Sequence, residues 1–203
     1  MTQGRRLLLA TDNRAKAREY RMLLKGIPYR LVTPAQLGVK VSVAEGGSTL
    51  EENAISKAMA YARASGVLAL ADDSGLEVDA LGGEPGVRSA RYAGPEASDR
   101  ELVRHLLDKL KGVPWERRQA RFRCVIALAW PEGRVKLFKG ECPGMIAFEP
   151  KGRFGFGYDP IFYLPELGKT MAELEPGRKN EISHRGRAAR AARPFLETMD
   201  KSA

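Results

Sequence analysis

The sequence predicts an α/β protein built on a mixed β-sheet, and three patterns carry that reading. Strand-like and helix-like stretches alternate through the first half of the chain. In the second half Arg121–Trp130 and Arg134–Glu141 flank Pro131-Glu132-Gly133 and read as a hairpin. Between them in kind is Val67–Ala71, short and wholly apolar, which suits a strand covered on both faces.

Taken in order, Leu7–Ala10 is a first strand that turns at Thr11-Asp12-Asn13 into a helix near Ala15–Leu24. A second strand is expected around Tyr29–Thr33. Ser48 and Thr49, followed by Glu51 and Glu52, give a capping-box signal for a helix to about Ala64, which Gly66 ends. Val67–Ala71 follows. Ser98 and Glu101 form another capping box, after which Leu102, Val103, Leu106, Leu107 and Leu110 trace one helical face up to Gly112. Beyond the hairpin, Thr170 and Glu173 begin a short helix and Ser183 the last one. Pro194 falls late in that helix and predicts a bend or restart.

The chain has 203 residues and is 43% hydrophobic, enough for a single domain with a proper core. No apolar stretch approaches the ~20 residues that span a bilayer. The basic start and short Leu run lack a signal-like region, so a cytoplasmic protein without membrane contact is expected. Cys124 and Cys142 are far apart and near no His, which points to packed, reduced thiols and against a zinc site. The formal net charge is +9, which fits a nucleic-acid partner or a small phosphate-rich substrate. The basic residues are spread along the chain, with concentration only from Arg178 to Arg193, as on a solvated surface.

Four constellations carry chemistry. Thr11-Asp12-Asn13-Arg14-Ala15-Lys16 sits where a strand enters a helix N-terminus, where unpaired N–H groups attract anions. Lys16, one turn in, can reach back to a phosphate; the plainer alternative is that Thr11 or Asp12 merely caps the helix. Asn53 and Lys57 share one helix face with Leu50, Ala54, Ala58 and Tyr61, so both need partners, either a structural ion pair or a phosphate; Glu45 is grouped with them. Asp72-Asp73-Ser74-Gly75 lies at the carboxyl end of the Val67–Ala71 strand, where open α/β sheets bind ligands. Were the strand to continue, only one aspartate would face the ligand. Magnesium suits one or two carboxylates with substrate phosphates, and an acidic turn is the alternative. Last, Gly155-Phe156-Gly157-Tyr158-Asp159-Pro160 offers a ring able to lie flat on a base, and Lys179 through Gly186 places His184 and Arg185 at a helix start.

These stretches together resemble the inosine triphosphate pyrophosphatase family, from Leu7 to about Phe195. The resemblance rests on Thr11-x-Asn13-x-x-Lys16; Glu45 with Thr49, Asn53-Ala54 and Lys57-Ala58; the block Ala71–Gly94; Phe156 through Phe162; Lys179; and Ile182 through Gly186. It implies a long mixed sheet with flanking helices, two lobes of one domain around a central cleft, and a homodimer. It implies hydrolysis of non-standard purine nucleoside triphosphates (ITP, dITP, XTP) to the monophosphate and pyrophosphate, with magnesium, which would cleanse the nucleotide pool. Under it Thr11, Asp12, Asn13, Arg14, Ala15 and Lys16 hold the triphosphate. Asp73 is proton acceptor and metal ligand, with Glu45 and Asp72 near the metal. Lys57 and Ser74 contact substrate, and Phe156, Gly157, Tyr158, Asp159, Lys179, His184 and Arg185 form the nucleotide and base pocket. Asp12 departs from the pattern, since many members carry Gly there. Arg185, able only to donate, is expected to read the 6-oxo group of the base. A divalent cation is expected to offset the repulsion of the paired aspartates. The competing readings are a non-enzymatic nucleic-acid binder and a pyrophosphatase for other nucleotides, such as modified pyrimidines. Against the binder, the aromatics do not alternate with basic residues as in RNA-binding sheets.

Overall fold

The computed structural model describes residues 5–43 and 46–199. The strands are β1 (Arg6–Leu9), β2 (Arg30–Val32), β3 (Leu68–Val78), β4 (Pro85–Gly86), β5 (Gln119–Ala129), β6 (Val135–Ile146), β7 (Phe162–Leu164) and β8 (Lys169–Thr170). The helices are α1 (Arg14–Leu23), α2 (Pro34–Leu37), α3 (Leu50–Ser65), α4 (Asp99–Lys109), α5 (Pro176–Ile182) and α6 (His184–Thr198). They form an eight-stranded mixed sheet in the order β2-β1-β3-β5-β6-β7-β8, with β4 paired to β3. β1 runs parallel to β2 and β3, whereas β4, β7 and β8 join antiparallel. The mixed α/β class and the hairpin are as the sequence predicts.

The strand order reverses at β1. The chain leaves β1 through α1 to reach β2 on one side, then returns through α3 to β3 on the other. Loops at such a reversal diverge, and ligands bind outside the strand ends there. The turn from β1 into α1 lies at that reversal; Thr11, Asp12 and Asn13 form it, and Arg14, Ala15 and Lys16 open α1.

The chain divides into two compact units. One comprises Met1–Asp73, Cys124–Gly140 and Arg185–Ala203, the other Ser74–Arg123 and Glu141–His184. In the first, Leu7 and Leu9 of β1, Leu68 and Leu70 of β3, and Cys124, Ile126 and Leu128 of β5 pack with Tyr20 and Leu24 of the α1 segment and Ala188, Ala189 and Leu196 of α6. Their neighbours Leu8, Ala69, Ala71, Val125 and Ala127 are buried as well, so these strands are covered on both faces. In the second unit, Leu76 and Val78 of β3 pack with Leu102, Val103 and Leu106 of α4, Phe122 and Phe162.

Several local expectations change. β3 does not stop at Ala71 but runs through both aspartates to Val78. β1 pairs with β3 only as far as Leu9 and Leu70, so the aspartates lie just past the end of β1 although mid-strand in β3. Asn13, not Thr11 or Asp12, caps α1; its Oδ1 accepts from the N–H groups of Ala15 at 2.8 Å and Lys16 at 3.1 Å. At α3 Thr49 accepts from the Glu52 N–H, while the Glu52 carboxylate turns to the Ser48 N–H and hydroxyl. The Ser98–Glu101 box forms as read. The last helix starts where it is expected: α6 begins at His184, directly after Ser183, which also ends α5, and it runs through Pro194 to Thr198. Both cysteines are buried free thiols.

Candidate active site

Strand pleating decides what the two aspartates do. Asp72 follows the even-numbered face of β3, the one carrying Leu68 and Leu70 toward α1 and α6. There its Oδ2 accepts from Arg185 Nε and Nη2, both at 3.2 Å, and lies 3.1 Å from Lys16 Nζ. Arg185 Nη1 reaches Glu19 Oε2 at 2.7 Å. Two cations thus meet two carboxylates, with the Asp72 side chain 1% and that of Arg185 2% exposed. Burial alone would lower the Arg185 pKa, but Asp72 and Glu19 outweigh it and hold the guanidinium well above its ordinary value. The Cys124 thiol lies 4.0 Å from the same Asp72 oxygen and 3.9 Å from the Tyr20 hydroxyl. Burial, then Asp72, pushes the Tyr20 pKa well up, so it remains a neutral phenol.

Asp73 takes the opposite, odd-numbered face and is half-buried. Its Oδ2 accepts from Asn53 Nδ2 at 2.9 Å, and Asn53 Oδ1 in turn accepts from the Gly47 N–H at 2.9 Å. Neighbours in sequence, the aspartates are separated by the pleat and matched by different partners. For Asp72 the charge compensation expected from a divalent cation is made by Lys16 and Arg185.

Around the β1–α1 turn, Thr11 is buried and its Oγ1 accepts from the Asn13 N–H at 3.2 Å. Asp12 is exposed, and Tyr61 of α3 donates to its Oδ2 at 3.5 Å. Lys57, one turn before Tyr61, is half-buried. The Tyr61 pKa is raised, chiefly by burial and next by Asp12, and Lys57 opposes the rise. Arg14 and Ala15 open α1 beside this loop. Glu45 lies outside the described residues.

In the second unit, Lys179 Nζ of α5 is 2.5 Å from Asp159 Oδ2, both side chains at most 4% exposed. The same carboxylate oxygen accepts from the Phe156 N–H at 2.9 Å. The Lys179 ammonium lies 4.7 Å from the Phe156 ring centre, within cation–π range. Gly155 must be glycine here: φ is +76°, and a Cβ would sit 2.1 Å from Asp159 Oδ2. Tyr158 is buried and donates to the Ser89 carbonyl at 2.9 Å. Burial raises its pKa far above the usual tyrosine value. The buried His184 ring stacks on Phe122 at 4.6 Å, and Ser74 is half-buried on β3.

The structure therefore gathers Lys16, Asp72 and Arg185 in one cluster, Asn53 with Asp73, and Phe156, Asp159 and Lys179 in another. It adds residues that sequence reasoning missed. Glu19 stands three positions after Lys16 on α1, a spacing visible in the sequence, but its partner Arg185 is 166 residues away. Tyr20 and Cys124 carried no signal beyond apolar periodicity. The guanidinium of Arg185, expected to read a base, is engaged by Asp72 and Glu19. A cavity of about 470 Å³ lined by Glu96, Glu101, Arg104 and His105 among others includes none of the expected site residues.

An open mixed sheet that reverses order at β1, with a lysine, an arginine and two divergent aspartates beside the strand–helix turn there, defines an α/β protein with a candidate site at the switch point of its sheet. Residues 7–195 match the model of the Ham1 family. The chain belongs to that family, and the resemblance read from its motifs holds over the same span. It is 50% identical over 194 residues to the dITP/XTP pyrophosphatase of Desulforamulus reducens, covering 96% of each chain. It is 51% identical over 183 residues to that of Geobacter sulfurreducens, covering 90% of this chain and 92% of the relative. The solved structure of the Staphylococcus aureus Ham1 protein superimposes with a TM-score of 0.85 at 44% identity, covering 96% of this chain and all of the other.

Proposed function

We propose that this protein is a nucleoside-triphosphate pyrophosphatase that hydrolyses non-standard purine nucleotides (ITP, dITP and XTP) to the monophosphate and pyrophosphate. Family membership and relatives of the same length that carry that activity in their names support the reading. The structural observation that carries it is Asp73: half-buried, oriented by Asn53, and placed just past the end of β1, where the sheet reverses order.

In this reading Asp73 takes a proton from a water that attacks the α-phosphorus, and pyrophosphate leaves. A positioned base of this kind is worth about 10²–10⁴-fold. Thr11, Asp12, Asn13, Arg14, Ala15 and Lys16 surround the triphosphate; Lys16 exchanges its contact with Asp72 for phosphate oxygens, and Lys57 and Ser74 add further contacts. Phe156, Gly157, Tyr158, Asp159, Lys179, His184 and Arg185 take the nucleoside end. Arg185 combines that role with holding Asp72 and Glu19.

The reading includes magnesium, since carboxylate oxygens plus substrate phosphates are the donors it prefers, and the described residues alone hold no cluster of three acidic, His or Cys side chains that could bind it. Asp73 and Glu45 would hold it, with Asp72 close by and already matched by two cations. Bound there, the ion would neutralise phosphate charge and polarise the reacting phosphate. Among the described residues no helix is long and apolar enough to cross a membrane. Action in the cytoplasm as a homodimer belongs to the same proposal, and sedimentation tests the dimer. The deciding assay is pyrophosphate release across a panel of ITP, dITP, XTP, ATP, GTP and modified pyrimidine triphosphates, with and without magnesium. Release from the 6-oxo non-standard purines far above ATP, lost without magnesium, is expected. Equal turnover of the pyrimidine analogues would favour a broader nucleotide pyrophosphatase.

A further inference from the structure

We propose that Asp99 is a positioning residue for the base platform, acting through Gly157. The proposal rests on the functional reading above, in which Phe156 takes the nucleoside end. Asp99 is the first residue of α4, and the Ser98–Glu101 capping box fixes it: the Ser98 N–H and hydroxyl donate to Glu101 Oε2 at 2.8 and 2.7 Å. From that fixed point Asp99 Oδ2 accepts the Gly157 N–H at 2.7 Å, across 58 residues of chain.

That N–H belongs to the peptide joining Phe156 to Gly157. The preceding peptide is pinned as well, because the Phe156 N–H donates to Asp159 at 2.9 Å. With a peptide plane fixed on each side, both φ and ψ of Phe156 are set, and with them the direction of its Cα–Cβ bond, from which the ring projects. Backbone bonds from Arg153 and Phe154 to the Ala172 carbonyl also hold this loop, and its side-chain tethers at Tyr158, Asp159 and Lys179 are buried. Asp99 is exposed, so it can be changed without opening the core.

The test compares Asp99→Ala, which removes the acceptor, with Asp99→Asn, which keeps a carbonyl oxygen. Losing one hydrogen bond of about average strength predicts a KM for ITP raised about five-fold in Asp99→Ala. The kcat stays unchanged, Asp99→Asn stays close to wild type, and inhibition by inorganic tripolyphosphate, which has no base, is unaltered. Amide hydrogen exchange at Gly157 is faster in Asp99→Ala alone. An unchanged KM for ITP in Asp99→Ala overturns the role. So does an equal weakening of tripolyphosphate, since the effect would then not concern the base. Wild-type protein that releases no pyrophosphate from ITP sinks the functional reading itself, which is a different result from an active wild type indifferent to Asp99.

Discussion

Asp72 and Asp73 show how one position along a strand changes the consequence of the same side chain. Asp72 sits with two cations in the interior, and removing its charge takes one of the carboxylates that face the buried Arg185 guanidinium, Glu19 being another. Breaking a buried pair in this way costs roughly 3–5 kcal/mol. Asp72→Asn is therefore expected to lower thermal stability sharply as well as activity. Asp73→Asn keeps its size, and the Asn53 amide can still donate to its carbonyl oxygen. It should melt close to wild type while pyrophosphate release falls by about 10²–10⁴-fold. Melting curves and turnover on the two variants separate the roles, and a fully active Asp73→Asn would refute Asp73 as base. Asp12 gives a second prediction at this scale. Its carboxylate adds negative charge to a loop proposed to hold a triphosphate, and Tyr61 donates to it. Asp12→Gly, the residue many family members carry, is expected to lower KM for ITP a few-fold with kcat unchanged, as for a group acting on ground and transition states alike. A KM that rises instead would make Asp12 a binding contributor.

At the scale of elements, the sequence was most legible where side chains of one segment settle its own structure. The Ser98–Glu101 box and the apolar face of α4 are there as read, and so is the hairpin of β5 and β6. The two-residue strands β4 and β8 and the three-residue β7 have no periodicity to detect, because partners elsewhere in the chain define them. The apolar run of β3 ends at Ala71 and Asp72-Asp73-Ser74-Gly75 has poor strand propensity, yet the strand continues, and Glu77 on it is held from β5 by Arg121 at 2.7 Å and Arg123 at 2.8 Å. Burial pushes the Glu77 pKa up, but the two arginines prevail and the net shift is downward from 4.5. The sign follows: the folded state prefers the carboxylate, so the contribution is complete above the unfolded value and fades as pH falls through the lowered one. Wild type should out-melt Glu77→Gln near neutrality, and the gap should close in acid. A gap constant down to the acid transition would show that Glu77 acts by packing rather than charge.

For the whole molecule, the motifs of the candidate site were legible as pieces in order, but not the contacts among them: Arg185 meets Asp72 across 113 residues. Types and spacing suggest a phosphate loop, whereas only the fold reveals that its lysine rests on a buried aspartate. Net charge is a whole-molecule property that the sequence does give, and it separates two uses of the same +9. If the charge draws in polyanionic nucleotides, its reach is set by the Debye length, about 30 Å at 0.01 M salt and about 10 Å at 0.1 M. Raising salt over that range is then expected to lower kcat/KM for ITP several-fold and to leave kcat at saturation unchanged, since a bound substrate no longer needs steering. Duplex DNA should not inhibit at physiological salt, because basic residues dispersed over a surface neutralise few adjacent phosphates. Activity measured against salt, with and without DNA, distinguishes the cases. A flat kcat/KM would mean that the excess charge plays no part in capture. Inhibition by DNA that weakens steeply with added salt would mean that it serves a nucleic-acid partner instead.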